Sequence, residues 1–439
     1  MLANVVYLLL IVAVSPFLIL RSVRGGRYRR GLSNKLLGLS AKKSKSYRDV
    51  AAAKSHLRWF HAVSVGEVNL LAGLIGSLQP DQAKPYVIST STDTGYDLAI
   101  KLFGNDRVFF CPLDFTWAVQ RTFKNLRPSE LILMELELWP NLIRAAKNNG
   151  CKISVVNARL SERSAKRYQK FSRFTRPIFA SLNWVGCQDT EVLEHFRSCG
   201  TAPENLEVTG SLKFDNAPST RDTPAVLECK TWAGQSDEHL VWLVGSTQPD
   251  EEKMALSIFN RLVHRHPNLR LILVPRHPQR FDEVDQLIGA FQNTPLRRSS
   301  TKKSQTEWPQ DRILLIDTIG ELMHWWGTAH LATVGGSFGS RGGQNMLEPA
   351  GYGCAVSFGP DTRNFKQIAQ TLLQNEAAVR VKDELELQHF IGRCLEDPVY
   401  RIQLGKQAAD TVNRHRGAVE RTCKALDQPS NEVKLSTVR

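Results

Sequence analysis

The sequence predicts an α/β protein made of two doubly wound, parallel-sheet domains facing a cleft. Three observations carry this. From about residue 49 onward, short apolar runs alternate with helical periodicity, the pattern of βαβ units. The runs fall into two series, separated by NAPSTRDTPA (216–225), a stretch rich in Pro, Ser and Thr that reads as a linker. The chain has 439 residues, enough for two such domains, and its 42% hydrophobic and 23% charged content is that of a globular protein.

Residues 1–20 carry no charged side chain, and 4–20 are nearly all apolar, at the lower limit for a spanning helix. Residues 21–48 hold ten basic side chains and no acid, which leaves only +4 of the net +14 to the rest of the chain. A basic block after an apolar run, with no cleavage site, reads as a membrane-anchor helix rather than a secretory signal. The bulk of the chain would then lie on the cytoplasmic side, with an anionic membrane surface as partner. A helix lying in the interface without spanning is the other reading. Confinement of the charge to one segment argues against a nucleic-acid partner. Eight scattered cysteines without a CxxC pair exclude a zinc ribbon and fit a reducing compartment. The expected divisions are an anchor and basic segment (1–48), a first domain (49–220), a second domain (221–427) and a tail (428–439).

In the first domain the expected strands are 57–63, 86–91, 107–113, 131–134, 152–157, 184–188 and 206–211. HAVSVGEV (61–68) puts Glu67 at a strand end and helix start, where open α/β sheets place ligands. Val68, Leu71, Ile75 and Leu78 then share one helix face. Glu67 is either a general base or a complement to the helix N-terminus. Glu135 and Glu137, in MELELWPNL (134–142), follow another strand. One of the two reads as a surface acid, and Pro140 as a first helical residue. Lys213, in TGSLKFD (209–215), also follows a strand; a solvated lysine is the ordinary alternative. Residues 157–179 read as a single amphipathic basic helix capped by Ser161.

In the second domain the expected strands are 240–246, 269–275, 313–317, 331–337 and 355–360, with 295–310 a surface loop. PRHP (275–278) ends a strand with Arg276, whose guanidinium suits bidentate phosphate binding. IGE (319–321) follows the next strand. GGSFGSRGGQNMLEPAG (335–351) is a Gly-rich loop entering a helix, where backbone amides can approach an anion. It fits neither the P-loop nor the dinucleotide fingerprint. Glu348 can hold a pair of ribose hydroxyls, or it can complete a capping pair with Asn345; both uses are compatible.

In this order, HAVSVGE, MELELWPNL, NARLSERS, TGSLKFD, LILVPRHPQRF, GELM and GGQNMLEPA resemble the 3-deoxy-D-manno-oct-2-ulosonic acid (Kdo) transferases, membrane-associated glycosyltransferases of lipid A assembly. The resemblance runs to about residue 425. It implies a GT-B fold, CMP-Kdo as donor substrate with no further cofactor, a lipid A precursor as acceptor, and the inner membrane as location. Glu67 matches the family's catalytic base. Glu135 matches a carboxylate credited with stabilising the transition state, and Lys213 a lysine of similar role. Pro275 with Arg276, then Ile319, Gly320 and Glu321, then Asn345, Met346, Leu347 and Glu348 match the segments that hold CMP. The sequence departs from the family at Gln248 and Gln344, where His is usual, and at Leu136 and Met346, where Thr and Pro are usual. Gln keeps hydrogen bonding and loses titration. No Asp-x-Asp motif is present, so no metal site is expected. A transferase using a UDP- or GDP-sugar is the nearest alternative, and a membrane-tethered binding scaffold the more distant one.

Overall fold

The computed structural model describes residues 30–50, 56–78, 85–301 and 303–427. The chain divides into two compact units, Met1–Asn216 with Arg416–Arg439, and Ala217–His415.

The first unit is built on seven parallel strands: Arg58–His61 (β1), Tyr86–Thr90 (β2), Val108–Phe110 (β3), Glu130–Met134 (β4), Lys152–Ala158 (β5), Trp184–Cys187 (β6) and Leu206–Val208 (β7), in the order β3-β2-β1-β4-β5-β6-β7. The central strands are buried on both faces, which is why they read as unbroken apolar runs. Alternation along β1 divides the core. Trp59 packs in one layer with Phe109 and Phe123, and Phe60 in the other with Val68 and Leu71. The strand order reverses between β1 and β4. Ligands of open α/β sheets bind at such a reversal, outside the carboxyl ends of the strands.

The helix Ala418–Asp427 also belongs to this unit. Arg58 is fully buried and donates to Glu130 at 2.8 Å, to the Leu426 carbonyl at 2.7 Å and to Asp427 at 2.9 Å. A buried guanidinium needs such partners to offset its desolvation.

The second unit repeats the plan with Leu240–Thr247 (β8), Leu269–Pro275 (β9), Thr294–Arg297 (β10), Arg312–Leu315 (β11), Leu331–Val334 (β12), Ala355–Phe358 (β13) and Val379–Arg380 (β14). The order is β10-β11-β9-β8-β12-β13-β14, all parallel, with the reversal between β8 and β12. Two parallel-sheet units of this kind are those of the expected GT-B fold.

Four sequence expectations are corrected. No helix among the described residues is long and apolar enough to cross a membrane, which counts against an N-terminal membrane-anchor helix and against the inner-membrane placement drawn from it. The first described helices, Leu32–Leu37 and Ala41–Val50, have 6 and 10 residues, and a spanning helix needs about 20. The apolar run 4–20 lies outside the described residues. Second, residues 295–310 are not all loop, because β10 runs through their start. Third, β14 was not expected at all. Both missed strands are sheet edges, where Pro295 and half-exposed positions blunt the apolar signal. Fourth, 157–179 forms two helices, Glu162–Lys170 and Ser172–Phe179, which break at Phe171 (φ −108°, ψ 30°). Ser161 does cap the first, accepting the Ser164 N–H at 3.3 Å.

Candidate active site

At the reversal in the first unit, β1 leads to Glu67 and β4 to Glu135. Ser64 is the N-cap of the helix Val65–Ser77, and Glu67 is its third residue. Glu67 is buried. Its Oε2 accepts the Val63 N–H at 2.9 Å and its Oε1 the Ser64 hydroxyl at 2.9 Å. Burial pushes its pKa up, the two hydrogen bonds oppose this, and the charges of Glu135 and Glu137 push it further up.

Glu135 has a left-handed backbone (φ 56°), a strained conformation for a residue other than glycine that costs about 1–3 kcal/mol. Its N–H donates to the Val156 carbonyl at 3.0 Å, and its carboxylate pairs with Arg159 at 2.6 Å. Glu137, in the same turn, is half-buried and accepts the Trp139 indole N–H at 2.9 Å. Burial raises its pKa, the indole opposes this, and Glu135 raises it again. Neither acid is therefore the free surface group expected for one of them.

Lys213 lies in the short helix Leu212–Asp215. Burial lowers its pKa, and the charges of Glu135 and Glu67 oppose the shift, so the ammonium shares their neighbourhood. Three hydrogen bonds hold this turn. Asn157, itself left-handed (φ 53°), accepts the Leu212 N–H at 3.1 Å, and Asp215 accepts the N–H groups of Gly417 at 2.6 Å and Val419 at 3.1 Å. Thus Glu67, Glu135 and Lys213 are brought together. Glu137, Arg159 and Asn157 join them; Asn157 and Arg159 lie in the NARLSERS string, though neither is singled out there for a role.

In the second unit all the expected donor-site residues follow carboxyl ends of strands. Pro275 ends β9, and the exposed Arg276 anchors its N–H on the Thr247 carbonyl at 3.0 Å. Asn345 donates to Glu348 at 3.0 Å and accepts the Leu347 N–H at 3.1 Å, but the N-cap of the helix Leu347–Gly351 is Met346, without a side-chain cap, so Asn345 lies one residue before the capping position. Burial raises the pKa of Glu348, and the nearby charge of Arg276 opposes this. Met346 and Leu347 are buried. Ile319 is 83% exposed, Gly320 is left-handed (φ 93°), and Glu321 accepts from Thr318 at 2.7 Å and Arg298 at 3.1 Å.

The Gly-rich loop differs from expectation. Three of its amides do not stand open for an anion, because Glu251 occupies them. The Glu251 carboxylate accepts the N–H groups of Gly336 at 2.8 Å, Ser337 at 3.2 Å, Phe338 at 3.2 Å and Gln248 at 2.9 Å. A Cβ on Gly335 would stand 2.8 Å from both the Ser246 carbonyl oxygen and Thr247 Cα, backbone atoms that cannot give way, so only glycine fits. The loop feeds a helix of only five residues, Leu347–Gly351. Gln248 is buried beside it, and its amide oxygen has no partner among the described residues. No group of three or more His, Cys, Asp or Glu among the described residues is placed to hold a metal ion.

The profile of the family described as 3-deoxy-D-manno-octulosonic-acid transferase (kdotransferase) matches residues 33–216. The chain is 31% identical over 411 residues to the 3-deoxy-D-manno-octulosonic acid transferase of Haemophilus influenzae, covering 92% of each. It is 33% identical over 379 residues to the protein of the same name from Bordetella pertussis, covering 84% of this chain and 86% of that one. In fold alone it is similar to a glycosyltransferase from Rickettsia africae, with TM-score 0.55 and 11% identity over 85% of this chain and 98% of that one. The chain belongs to the 3-deoxy-D-manno-octulosonic-acid transferase family and is a glycosyltransferase that transfers Kdo.

Proposed function

We propose that the chain transfers Kdo from CMP-Kdo to a primary hydroxyl of a lipid A precursor, with Glu67 as general base. The observation that carries this reading is the convergence of Glu67, Glu135 and Lys213 at the strand-order reversal of the first unit.

The acceptor oxygen attacks the anomeric carbon of Kdo. A new C–O bond forms there as the bond to the CMP phosphate oxygen breaks, and CMP leaves with the electron pair. The hydroxyl proton passes to Glu67. An alcohol is a weak nucleophile, and a positioned base contributes about 10²–10⁴-fold. Burial and neighbouring acids make Glu67 a stronger base than a free carboxylate. Positive charge developing on the sugar is offset by Glu135, whose carboxylate is held by Arg159 at 2.6 Å. Lys213 faces the donor's carboxylate or phosphate, and in the second unit the Arg276 guanidinium suits a phosphate. CMP leaves as a phosphate monoester, so no general acid is required. One displacement inverts the anomeric centre.

The test is incubation with CMP-Kdo and lipid A precursor, followed by mass spectrometry of the lipid. Mass increments of one or more Kdo units are expected, and their number counts the transfers. Increments with UDP- or GDP-sugars in place of CMP-Kdo would overturn the donor assignment.

A further inference from the structure

A second feature of the first unit has no part in the chemistry above. A cavity of about 270 Å³ lies beside the carboxyl ends of β1 and β3, in the core layer opposite the helix Val65–Ser77. Leu32, Leu113, Trp139 and Leu142 give it apolar walls, and His61 and Lys35 give it polar groups. Asp114 also borders it, but its two carboxylate oxygens are engaged by the N–H groups of Asn141 at 3.0 Å and Leu142 at 2.8 Å.

His61 is fully buried. Its Nδ1 lies 2.9 Å from Ser89 Oγ, and its Nε2 has no partner among the described residues. Burial pushes its pKa down to about 4, so the ring is neutral at physiological pH. A neutral nitrogen suits a hydroxyl or carbonyl rather than a charged group. The Lys35 ammonium stands 4.1 Å from the centre of the Phe110 ring and is only loosely paired with Asp93, at 3.8 Å. Apolar walls with one cation fit an amphiphile that has a hydrocarbon chain and an anionic head. The volume is just below the roughly 300–1,000 Å³ of sites that enclose a whole drug-sized ligand, so it suits one chain segment. Through Trp139 the cavity adjoins Glu137, which lies in the same turn as Glu135. Trp139, which lines it, donates to Glu137, and the charge of Glu137 reaches Glu67.

We propose that this cavity holds part of one acyl chain of the lipid acceptor, with Lys35 facing the acceptor's negative charge, and so positions the hydroxyl at Glu67. The proposal rests on the reading of a lipid acceptor deprotonated by Glu67. The acyl segment enters past Leu32 and Leu113, which are 50% and 41% exposed, so enlarging either one narrows the entrance at little cost to the fold.

The experiment compares the full-length chain with Leu113→Trp and Leu32→Trp, using CMP-Kdo with the acylated acceptor and with the same acceptor chemically stripped of its acyl chains. Melting temperatures confirm folding. KM for the acylated acceptor is expected to rise about tenfold, the equivalent of about two methylenes no longer buried. KM for the stripped acceptor and for CMP-Kdo is expected to stay unchanged. Unchanged kinetics on the acylated acceptor in both folded variants overturn the proposal alone. Equal losses on both acceptors also overturn it, because the cavity then does not read the acyl chain. No transfer by the unmodified chain to either acceptor overturns the underlying reading, and the proposal with it.

Discussion

Ser64 and Glu67 hold each other through two hydrogen bonds. The Ser64 hydroxyl donates to Glu67 Oε1 at 2.9 Å, and the Glu67 N–H donates back to Ser64 Oγ at 3.4 Å. With the Val63 N–H on Oε2, this forms a capping box displaced by one residue. A carboxylate offers about four acceptor sites, and two are filled here. Capping the helix and accepting a proton therefore do not compete, and the two readings of Glu67 are compatible.

Glu67→Gln keeps an acceptor for the Val63 N–H and removes the base. Turnover is expected to fall by about 10²–10⁴-fold while the affinity for CMP is unchanged. Stability follows from linkage. A carboxyl whose folded pKa lies above its unfolded value favours the folded state when protonated. Its contribution is therefore lost as pH rises from the ordinary carboxylate value through the raised one. A neutral Gln escapes that loss, so Tm at neutral pH should equal or exceed that of the unmodified chain. Turnover near the original rate would sink the assignment of the base.

Glu137 raises the pKa of Glu67 by its charge. Activity requires Glu67 ionised, so it should fall on the acidic side as pH drops through that raised pKa. In Glu137→Gln the upward push disappears, and the acidic limb of the kcat/KM profile should move to lower pH. A limb that stays in place would mean that another group titrates there.

Arg276→Lys keeps the charge and loses the planar fork that suits phosphate. CMP affinity, read by titration calorimetry, should weaken about tenfold, the loss of roughly one charge-assisted hydrogen bond. Equal affinity would place the phosphate elsewhere.

Cation removal gives a separate check. The proposed displacement has no metal step, since Lys213 and Arg276 supply the positive charge. Transfer measured in EDTA is therefore expected to match transfer in Mg²⁺. Activity that vanishes in EDTA and returns with Mg²⁺ contradicts the scheme.

The sheet interiors and the strand ends that carry Glu67, Glu135, Lys213 and Arg276 were legible because buried parallel strands are continuous apolar runs and the acids follow them directly. The edges β10 and β14 were not, since a half-exposed strand of a few residues has no run to show. Asn takes φ above zero more readily than most residues, but Asn157 sits within the run of β5 and reads there as a strand residue. Left-handed Glu135 left no local signal, because Glu rarely takes such a φ. Nor did the pairing of Arg58 with Asp427 or of Asp215 with Gly417, which joins residues more than 200 positions apart. A charged side chain looks solvated in sequence until the fold supplies its partner.

Glu251 is the clearest such case, and it yields the last prediction. As one of two acids after Asp250 it reads as an ordinary first-turn helix residue, yet it closes the turn of β8 onto the loop after β12, 85 residues away. Burial raises its pKa, and the backbone N–H groups of Gly336, Gln248 and Phe338 oppose this. Four N–H donors converge on two carboxylate oxygens. In Glu251→Gln one oxygen becomes an NH₂ group facing N–H donors, so at least one pair of charge-assisted hydrogen bonds is lost, about 3–6 kcal/mol. The variant should melt at lower temperature and, because Gly335 to Phe338 loses its shape, bind CMP about tenfold more weakly. KM for the acceptor should be unaffected, since Glu67 and Lys213 belong to the other unit. A fall in Tm with CMP affinity intact would mean that the loop's shape serves the fold and not the donor.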